Sequence, residues 1–266
     1  MNKYSISEFI GNGKFGEVYK GKKTTGEYVA IKIEKNLYIK LLKHETTILN
    51  YLYRKGCKNI PIIYWYGINE SFPTLVMSYF ERQFTKELFS SSFFSDIISI
   101  IEKIHEYGII HRDIKPSNFM FNDKKINLID FGFATFYIDY NFQHKTNSIN
   151  EYIIGTPSYI SINIHNGNEA SRRDDLISIG YVYLYLNPET ENPLLKEYLF
   201  TNTEGYDSDL HIKHPFMLEK REGKKWENLS KELSPLSIIF KYLQYCYTLK
   251  YDEKPDYKML RDFFIV

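Results

Sequence analysis

The chain has 266 residues, of which 43% are hydrophobic and 25% are charged, as is usual for a folded globular protein. Lysine and arginine total 34 against 33 acidic residues, so no strong overall charge attracts nucleic acid or an anionic membrane. The first nine residues are too polar for a signal peptide, and no apolar run approaches the ~20 residues of a membrane span. We therefore expect a cytoplasmic protein that binds neither nucleic acid nor membrane; the nucleus, or a host cytoplasm if the source is a virus, stays open.

The first eighty residues predict a small, mostly β lobe. Strand-like alternation occurs in five runs, at residues 4–6, 16–19, 28–31, 62–68 and 73–77. Thr25-Gly26 is a turn signal between the second and third runs. Residues 41–54 carry leucine and isoleucine at helical spacing, which predicts one helix in this lobe.

From Phe93 onward the apolar pattern becomes helical, and Gly108 is placed to end the first helix. Later helices are predicted near residues 173–186, 235–248 and 256–264, and two short strands at 119–121 and 126–129. The sequence thus predicts an α+β fold in one domain, residues 1–266: a β lobe over about 1–78, a joint at 78–82 and a larger, mainly helical lobe over 83–266. A cleft at such a joint is a usual place for a ligand.

Two cysteines, Cys57 and Cys246, are too few and too far apart for a disulfide framework. We expect two reduced thiols in the core of a protein from a reducing compartment.

A glycine-rich segment lies between the first two predicted strands. Gly11, Gly13, Gly16 and Val18 form the pattern G-x-G-x-x-G-x-V. Glycine allows the backbone to approach phosphates closely. In dinucleotide folds the same glycines open a helix, whereas here a strand follows, which argues against that fold. Taken alone, the segment could also be a plain hairpin turn.

The next strand contains Val29-Ala30-Ile31-Lys32. An ammonium group inside a strand is costly without an anionic partner, and Glu45, thirteen residues on and on the predicted helix, could pair with it. Lys32 would then reach nucleotide phosphates. The alternative is an ordinary surface lysine.

The strongest pattern is His111-Arg112-Asp113-Ile114-Lys115-Pro116-Ser117-Asn118, followed by Asp130-Phe131-Gly132. Asp113 would accept a hydroxyl proton, and Lys115 would neutralise charge on a transferring phosphate. Asn118 and Asp130 offer oxygen ligands to Mg²⁺. His111 has two interpretations, a structural residue of the loop or a general base. The pattern in this order predicts phosphoryl transfer.

These motifs resemble those of the eukaryotic-type protein kinases, from Ile10 to about Phe264. Within that superfamily the chain resembles the casein kinase 1 family. The segments that carry the second resemblance are Ser161-Ile162-Asn163 in place of Ala-Pro-Glu, Ser171-Arg172-Arg173-Asp174-Asp175-Leu176, Pro61 to Gly67 and Lys254-Pro255-Asp256-Tyr257. The resemblance implies the bilobal protein kinase fold, with a small antiparallel-β N-lobe containing one helix and a larger mainly α C-lobe. It also implies ATP and Mg²⁺ as cofactors.

Further positions follow from the resemblance. Asp175, with Gly180, matches an aspartate that holds the catalytic loop backbone. Met77 matches the gatekeeper, and adenine would bond to the backbone of Ser78, Tyr79 and Phe80. The residues implied to line the adenine slot are Ile10, Val18, Ala30 and Ile129, each of which an ordinary apolar core would also contain.

The sequence departs from the casein kinase 1 pattern near the activation segment. Thr135, Glu151 and Ser158 stand where basic residues are usual in that family, so a pocket for a phosphorylated substrate is in doubt. Arg172 and Arg173 could supply charge or could be structural partners of Asp174 and neighbouring loops. Asn163 and Lys254 occupy the slots of a usual ion pair, which implies a different clasp in the helical lobe. The chain ends soon after its last predicted helix, so we also expect no regulatory tail.

The sequence therefore predicts a monomeric protein kinase of casein kinase 1 type. Its enzyme class would be the non-specific serine/threonine protein kinases, which phosphorylate hydroxyl groups of proteins. Two alternatives remain, a pseudokinase that serves as a binding scaffold and a small-molecule phosphotransferase of kinase-like fold. A pseudokinase would be expected to lack Lys32, Asp113, Asn118 or Asp130, and all four are present.

Overall fold

The computed structural model describes residues 1, 3–13, 16–35, 40–123, 125–190, 192, 195, 199–200 and 211–265. Lys14 and Phe15 of the glycine-rich segment lie outside the described residues. The chain forms two compact units, which consist of Met1–Gln83 with Phe119–Ala134 and of Phe84–Asn118 with Thr135–Val266.

The first unit is built on a five-stranded antiparallel sheet in the order β1-β2-β3-β5-β4. Its strands are β1 (Tyr4–Gly13), β2 (Gly16–Lys23), β3 (Tyr28–Ile33), β4 (Ile63–Asn69) and β5 (Phe72–Ser78). All five predicted strands are confirmed, and the described residues 24–26 form the predicted turn. One face of the sheet buries Val29, Ile31 and Val76 in an apolar cluster.

The helix of the first unit, α1 (Leu41–Arg54), covers the opposite face of the sheet, where Leu42 packs with Ala30, Leu75 and Met77. No side chain caps this helix from the Ncap position. Instead the buried Glu34 accepts hydrogen bonds from the backbone N–H groups of Leu41 at 2.9 Å and Leu42 at 3.3 Å. A carboxylate at a helix N-terminus satisfies unpaired N–H groups and favours the helix dipole.

A second sheet in the first unit has the order β6-β8-β9, from β6 (Arg82–Gln83), β8 (Phe119–Asn122) and β9 (Lys125–Leu128). Asn59, which follows α1, accepts from the N–H of Leu128 and donates its amide to the Ile126 carbonyl, both at 2.9 Å. These bonds fix the strand that leads into Asp130.

The second unit is mainly helical. Its helices are α2 (Ser92–Glu106), α3 (Ile162–His165), α4 (Arg172–Leu186), α5 (Pro215–Gly223), α6 (Trp226–Leu229), α7 (Ile238–Thr248) and α8 (Tyr257–Asp262). A two-stranded sheet joins β7 (Ile109–Ile110) to β10 (Thr135–Phe136). The longer predicted helices are confirmed, whereas α3, α5 and α6 were not predicted because they are too short to show a period.

Most side chains of α4 are buried, on every face of the helix, so it forms the centre of the second unit. Ser171 caps it with a capping box in which Asp174 accepts from the Ser171 N–H at 2.8 Å. The helix α2 ends at Glu106, and Gly108 follows in the left-handed region with a φ of 77°, as a C-cap glycine does.

Two other expectations concern the thiols and the membrane. Cys57 and Cys246 are both free and buried, which agrees with the expected core position of the two thiols. Among the described helices, none is long and apolar enough to cross a membrane.

The crossing of α4 and α7 leads to a stability prediction. A Cβ at Gly180 would lie 2.3 Å from Cδ2 and 2.9 Å from Cγ of the buried Leu243. In Gly180→Ala we expect this overlap to cost about 1–3 kcal/mol. Over most of this range the cost exceeds the ~1 kcal/mol gained by removing glycine from a helix. The midpoint of urea unfolding should therefore fall.

The double variant Gly180→Ala with Leu243→Val is the control. It should lose less than the sum of the two single losses, because valine lacks the Cδ methyl that the new Cβ meets. Strict additivity, or an unchanged midpoint for Gly180→Ala, would show that Leu243 moves aside without cost.

Candidate active site

The first group of site residues lies within the first unit. Lys32, on β3, places its ammonium 2.9 and 3.0 Å from the two carboxylate oxygens of Glu45 on α1. The same ammonium lies 2.9 Å from Oδ1 of Asp130, which follows β9. The side chains of Lys32 and Glu45 are almost fully buried, with 8% and 0% of each residue exposed. The structure thus brings three of the predicted residues together.

The charge on Lys32 is stable in this surrounding. Burial alone would lower its pKa, but the negative charges of Asp130 and Glu45 outweigh burial and raise the pKa above the ordinary value for lysine. A permanent cation beside Asp130 is suited to binding an anionic ligand such as a phosphate.

The segment Asp130-Phe131-Gly132 is held by α1. Oε1 of Glu45 accepts from the N–H of Phe131 at 3.2 Å, and Nε2 of His44 lies 2.6 Å from the Ala134 carbonyl oxygen. Phe131 is fully buried. Asp130 itself has a φ of 67°, a left-handed conformation that is strained for a non-glycine residue and is often found at functional sites.

The glycine-rich segment forms the β1–β2 hairpin, in which Gly13 pairs with Gly16 and Gly11 with Val18. At Gly16 the φ is 116°, and a Cβ there would lie 2.1 Å from the Ile33 carbonyl oxygen. Only glycine fits this position.

The residues expected to line an adenine slot share a face of the sheet with Lys32. Val18 pairs with Lys32 across the β2–β3 ladder, and Ala30 pairs with Met77 across β3–β5. Because Ala30 and Lys32 are two residues apart on one strand, all four side chains point to the same side. Ala30 and Met77 also pack with Leu42 of α1 in an apolar cluster. They can therefore be both residues of the core and residues that line an adenine slot.

The remaining slot residues lie at the edges of this arrangement. Ile10 is 50% exposed at an irregularity of β1, and Ile129 is half-buried between β9 and Asp130. Ser78 ends β5, where its hydroxyl accepts from the N–H of Ile62 at 3.0 Å. Tyr79 and Phe80 follow it and are half-buried.

The second group of site residues lies within the second unit, around Asp113. The Lys115 ammonium is 2.7 Å from Oδ2 of Asp113. The hydroxyl of Thr156 donates to Oδ1 of Asp113 at 2.7 Å and accepts from Lys115 at 3.2 Å. Asp113 is only 3% exposed. The two partners fix the orientation of this carboxylate, and Thr156 was not among the predicted residues.

Asn118, in the short 3₁₀ turn Pro116–Asn118, directs its amide nitrogen at Asp113. Nδ2 donates to the Asp113 carbonyl oxygen at 2.8 Å and lies 3.4 Å from Oδ2. This orientation turns the amide oxygen to the other side, where it can accept from a ligand.

The segment 111–118, here called the catalytic loop after the family motif that it matches, is anchored by Asp175 on α4. Its Oδ2 accepts from the N–H of His111 at 2.7 Å, and its Oδ1 from the N–H of Arg112 at 2.9 Å. Nε2 of His105 lies 3.0 Å from the same Oδ2. Burial would raise the pKa of Asp175, but the bonds from His105 and His111 outweigh burial and lower it. The carboxylate therefore stays charged and holds two consecutive amides of the loop.

The ring of His111 is fully buried, and its Nδ1 accepts from the N–H of Asp113 at 3.3 Å. This backbone contact favours the structural interpretation of His111 over that of a general base.

A polar cluster at the start of α4 includes Asn163, one of the two residues that replace the usual ion pair of the helical lobe. Asp174 accepts from the hydroxyl of Ser161 and, at 2.9 Å, from the amide of Asn163. Ser161 also caps α3 by accepting from the Ile164 N–H at 3.3 Å. The Ser161-Ile162-Asn163 segment is thus clasped to α4 by hydrogen bonds.

A second clasp comes from Lys224, which sequence reasoning missed. This lysine is 0% exposed, and its ammonium donates to the carbonyl oxygens of Pro157 at 2.8 Å and Ile160 at 2.7 Å. Nε2 of His165 lies 3.1 Å away. Within the described residues no carboxylate pairs with it, and burial lowers its pKa well below the usual value. Nothing in the sequence indicated this role, because Lys224-Lys225 is typical of the basic residues found at the C-terminal end of a helix.

Both arginines of the Ser171-Arg172-Arg173 segment donate hydrogen bonds to backbone carbonyl oxygens. Arg172 donates to the Asp252 carbonyl oxygen at 2.5 Å and its guanidinium stacks over Tyr137 at 4.7 Å. Arg173 donates to the Leu249 carbonyl oxygen at 2.9 Å. The sequence left two roles open for Arg172 and Arg173, a source of charge for a substrate pocket or a structural contact with neighbouring loops. These hydrogen bonds favour the structural role.

None of the three positions that depart from the casein kinase 1 pattern carries a basic side chain, although Thr135 lines a cavity together with Arg112 and Lys145. Thr135 pairs with Ile110 in β10, and Ser158 is 5% exposed. The side chain of Glu151 is 70% exposed, with His211 at 3.9 Å.

A comparison with protein families identifies the class. A family model described as the protein kinase domain matches residues 4–248 of the chain. Since the match spans most of the sequence, the chain belongs to the protein kinase family. It has the bilobal α+β kinase fold, and membership of the family supports a protein kinase phosphotransferase. Kinases of this family generally use ATP with a divalent metal and act on proteins.

The buried ion pair leads to a second stability prediction. Glu45→Gln removes one of the two carboxylates that compensate Lys32, and breaking a buried pair in this way typically costs about 3–5 kcal/mol. We expect a large loss in the free energy of unfolding, measured with urea.

The matched control is Glu17→Gln, which alters a largely solvent-accessible pair in the same unit, Glu17 with Lys35 at 3.3 Å, whose side chains are 30% and 47% exposed. Exposed pairs contribute little, so its midpoint should stay close to that of the wild type. Equal effects of the two variants would contradict the role assigned to the buried pair.

Proposed function

We propose that this kinase is a serine/threonine protein kinase of casein kinase 1 type. The observation that carries the proposal is the contact of Lys115 with Asp113, at 2.7 Å. A lysine two residues after the proton acceptor places a cation where the γ-phosphate is transferred to a hydroxyl. Tyrosine kinases generally depart from this lysine spacing, so the contact favours serine and threonine as targets.

The nucleotide would be bound by residues of the first unit. Lys32, held charged by two carboxylates, would contact the phosphates, and the hairpin with Gly11, Gly13 and Gly16 would cover them with backbone N–H groups. The sheet face that carries Val18, Ala30 and Met77 would take the adenine ring.

The donor set fits Mg²⁺. A carboxylate from Asp130 and an amide oxygen from Asn118 are hard oxygen ligands of the kind that Mg²⁺ prefers, together with phosphate oxygens and water. The described residues contain no group of three or more His, Cys, Asp and Glu that could hold a metal by themselves. When bound, Mg²⁺ neutralises charge on the phosphates.

The proton of the substrate hydroxyl would pass to Asp113. Its two oxygens already accept from Lys115 and Thr156, so the carboxylate cannot rotate away. A fixed acceptor orients the hydroxyl for in-line attack, which is most of what this chemistry requires.

Support for the casein kinase 1 type comes from the clasp of the helical unit. Ser161 and Asn163 together bind Asp174, so the residues that carry the family resemblance form one hydrogen-bonded cluster. The same cluster offers a reason why these residue types occur together in place of Ala-Pro-Glu.

The first test of this proposal is Asp113→Asn, which removes the proton acceptor with little change in shape. Loss of a general base typically lowers the rate by about 10²–10⁴-fold. The measurement is the turnover of a serine peptide by the purified, folded variant. Asp123→Asn, a change in the exposed β8–β9 turn, is the control and should keep the wild-type rate. A near-normal rate for Asp113→Asn would contradict the assigned role.

A second test measures nucleotide binding without catalysis. Mg-ATP should raise the melting temperature of the wild type, because a ligand that binds only the folded state stabilises it. Lys32→Met and Asp130→Ala should each weaken this shift and abolish phosphate transfer. No shift of the wild type at millimolar Mg-ATP would favour a binding scaffold instead.

A third test concerns substrate choice. A phosphoserine brings about −1.5 to −2 charges and needs arginine or lysine partners, yet Arg172 and Arg173 bind backbone carbonyls and Glu151 is acidic. We expect a ratio of kcat/KM near one for peptides with phosphoserine or serine three residues before the target. Glu151→Lys with Ser158→Arg should raise this ratio. A wild-type ratio above about 30-fold, or roughly 2 kcal/mol, would reveal an anion pocket.

A further inference from the structure

A short stretch of the segment after Asp130 is paired with the loop before α4. Ile149 and Asn168 form an isolated antiparallel bridge. The N–H of Asn150 donates to the Gly167 carbonyl oxygen at 2.7 Å, and the N–H of Glu169 donates to that of Ser148 at 3.1 Å. Residues 147–150, here called the paired stretch, are therefore held along residues 167–169.

The side chain of Glu169 adds a charged contact to this pairing. Its Oε1 accepts from the amide of Asn150 at 2.7 Å and from the hydroxyl of Ser148 at 3.1 Å. A carboxylate that accepts two hydrogen bonds from one stretch makes charge-assisted bonds, which are stronger than neutral ones.

The same carboxylate lies near Arg112, which directly precedes Asp113. Glu169, Arg112 and Ser148 line one cavity of the second unit, together with Lys145 and Thr146. Burial lowers the pKa of Arg112, and the charge of Glu169 opposes that effect. Arg112 also has a left-handed φ of 69° and an N–H bound by Asp175, so its position is tied to the catalytic loop.

We propose that Glu169 is a positioning residue whose fixed carboxylate holds the paired stretch beside Arg112. In kinases that are switched on by phosphorylation, a phosphate on this segment orders it through arginine. Here a carboxylate built into the loop before α4 takes that place, so the segment is ordered without modification. This inference rests on the proposed kinase function.

The contact between Ser148 and Glu169 also predicts whether phosphorylation of Ser148 would raise or lower the activity. Ser148 is exposed, and its hydroxyl donates to Glu169. A phosphate there would replace a donor by about −1.5 to −2 charges directly facing a carboxylate, and like charges repel. Modification of Ser148 should therefore inhibit the enzyme, whereas the same group would activate an enzyme that lacks Glu169.

The experiment moves the carboxylate of the Ser148–Glu169 contact from position 169 to position 148. The variants are Glu169→Ala, Glu169→Gln, Ser148→Glu and the double variant Glu169→Ala with Ser148→Glu. Each is assayed for kcat/KM on a serine peptide, for amide hydrogen exchange at residues 147–150 and for the Mg-ATP thermal shift. Glu106→Ala, which breaks an exposed pair with Lys103 on α2, is the matched control.

We expect Glu169→Ala to lower kcat/KM by at least about tenfold, equivalent to 1.4 kcal/mol, and to speed exchange in the paired stretch. The Mg-ATP shift, which in our proposal depends on Lys32, Asp130 and Asn118 and not on Glu169, should persist. Glu169→Gln keeps an oxygen acceptor and should lose less. Ser148→Glu alone should lower activity, but in the double variant it should raise activity above that of Glu169→Ala, because one carboxylate again faces Arg112.

Several outcomes would overturn the inference. One is wild-type kcat/KM in Glu169→Ala, and another is a double variant less active than Glu169→Ala. If Glu169→Ala does not fold, Glu169→Gln decides, and unchanged exchange and rate in that variant count against the role. An inactive wild type would instead defeat the proposed function, while the exchange data on Glu169→Gln would still test the positioning of the stretch.

Discussion

A single buried carboxylate determines the geometry of the catalytic loop. Asp175 projects from the most buried helix of the second unit and accepts from two consecutive backbone amides, those of His111 and Arg112. Two such bonds fix the peptide plane between these residues and hold Arg112 in a left-handed conformation that would otherwise be unfavourable. Asp113 follows directly, so α4 fixes the backbone from which its side chain projects, while Lys115 and Thr156 orient the carboxylate itself. A reactive group supported by a rigid helix keeps its position without a large rearrangement on binding.

The two units stabilise buried lysines in opposite ways. Lys32 has two carboxylates, which keep it charged and poised for an anion. Within the part of the chain that the structure describes, the acceptors of Lys224 are all neutral: two carbonyl oxygens and an imidazole nitrogen. The first arrangement suits a residue that must meet phosphate, since charge is what it contributes. The second suits a residue that ties the segment 157–160 to α5, since its contribution is the number and direction of its donors.

The sequence allowed the prediction of those features that depend on period or on local spacing. The strands of the first sheet alternate, and Lys32 and Glu45 could be paired because a lysine in a buried strand requires an anion. The contact of Thr156 with Asp113 could not be predicted, because a hydroxyl 43 residues away gives no signal of its own. The role of Lys224 was hidden for a similar reason: its acceptors are backbone carbonyls, which every residue has. The function of Arg172 and Arg173 stayed open until their carbonyl partners were known.

The surroundings of Lys224 also determine its chemical accessibility. Acylating reagents and acetyltransferases need a solvent-exposed, uncharged amine. Burial lowers the pKa of Lys224, and the same complete burial withholds its amino group from any reagent. Its modification must therefore wait until the segment 157–160 detaches from α5. Among the many lysines of the chain, this one would report by its labelling rate how often that segment opens.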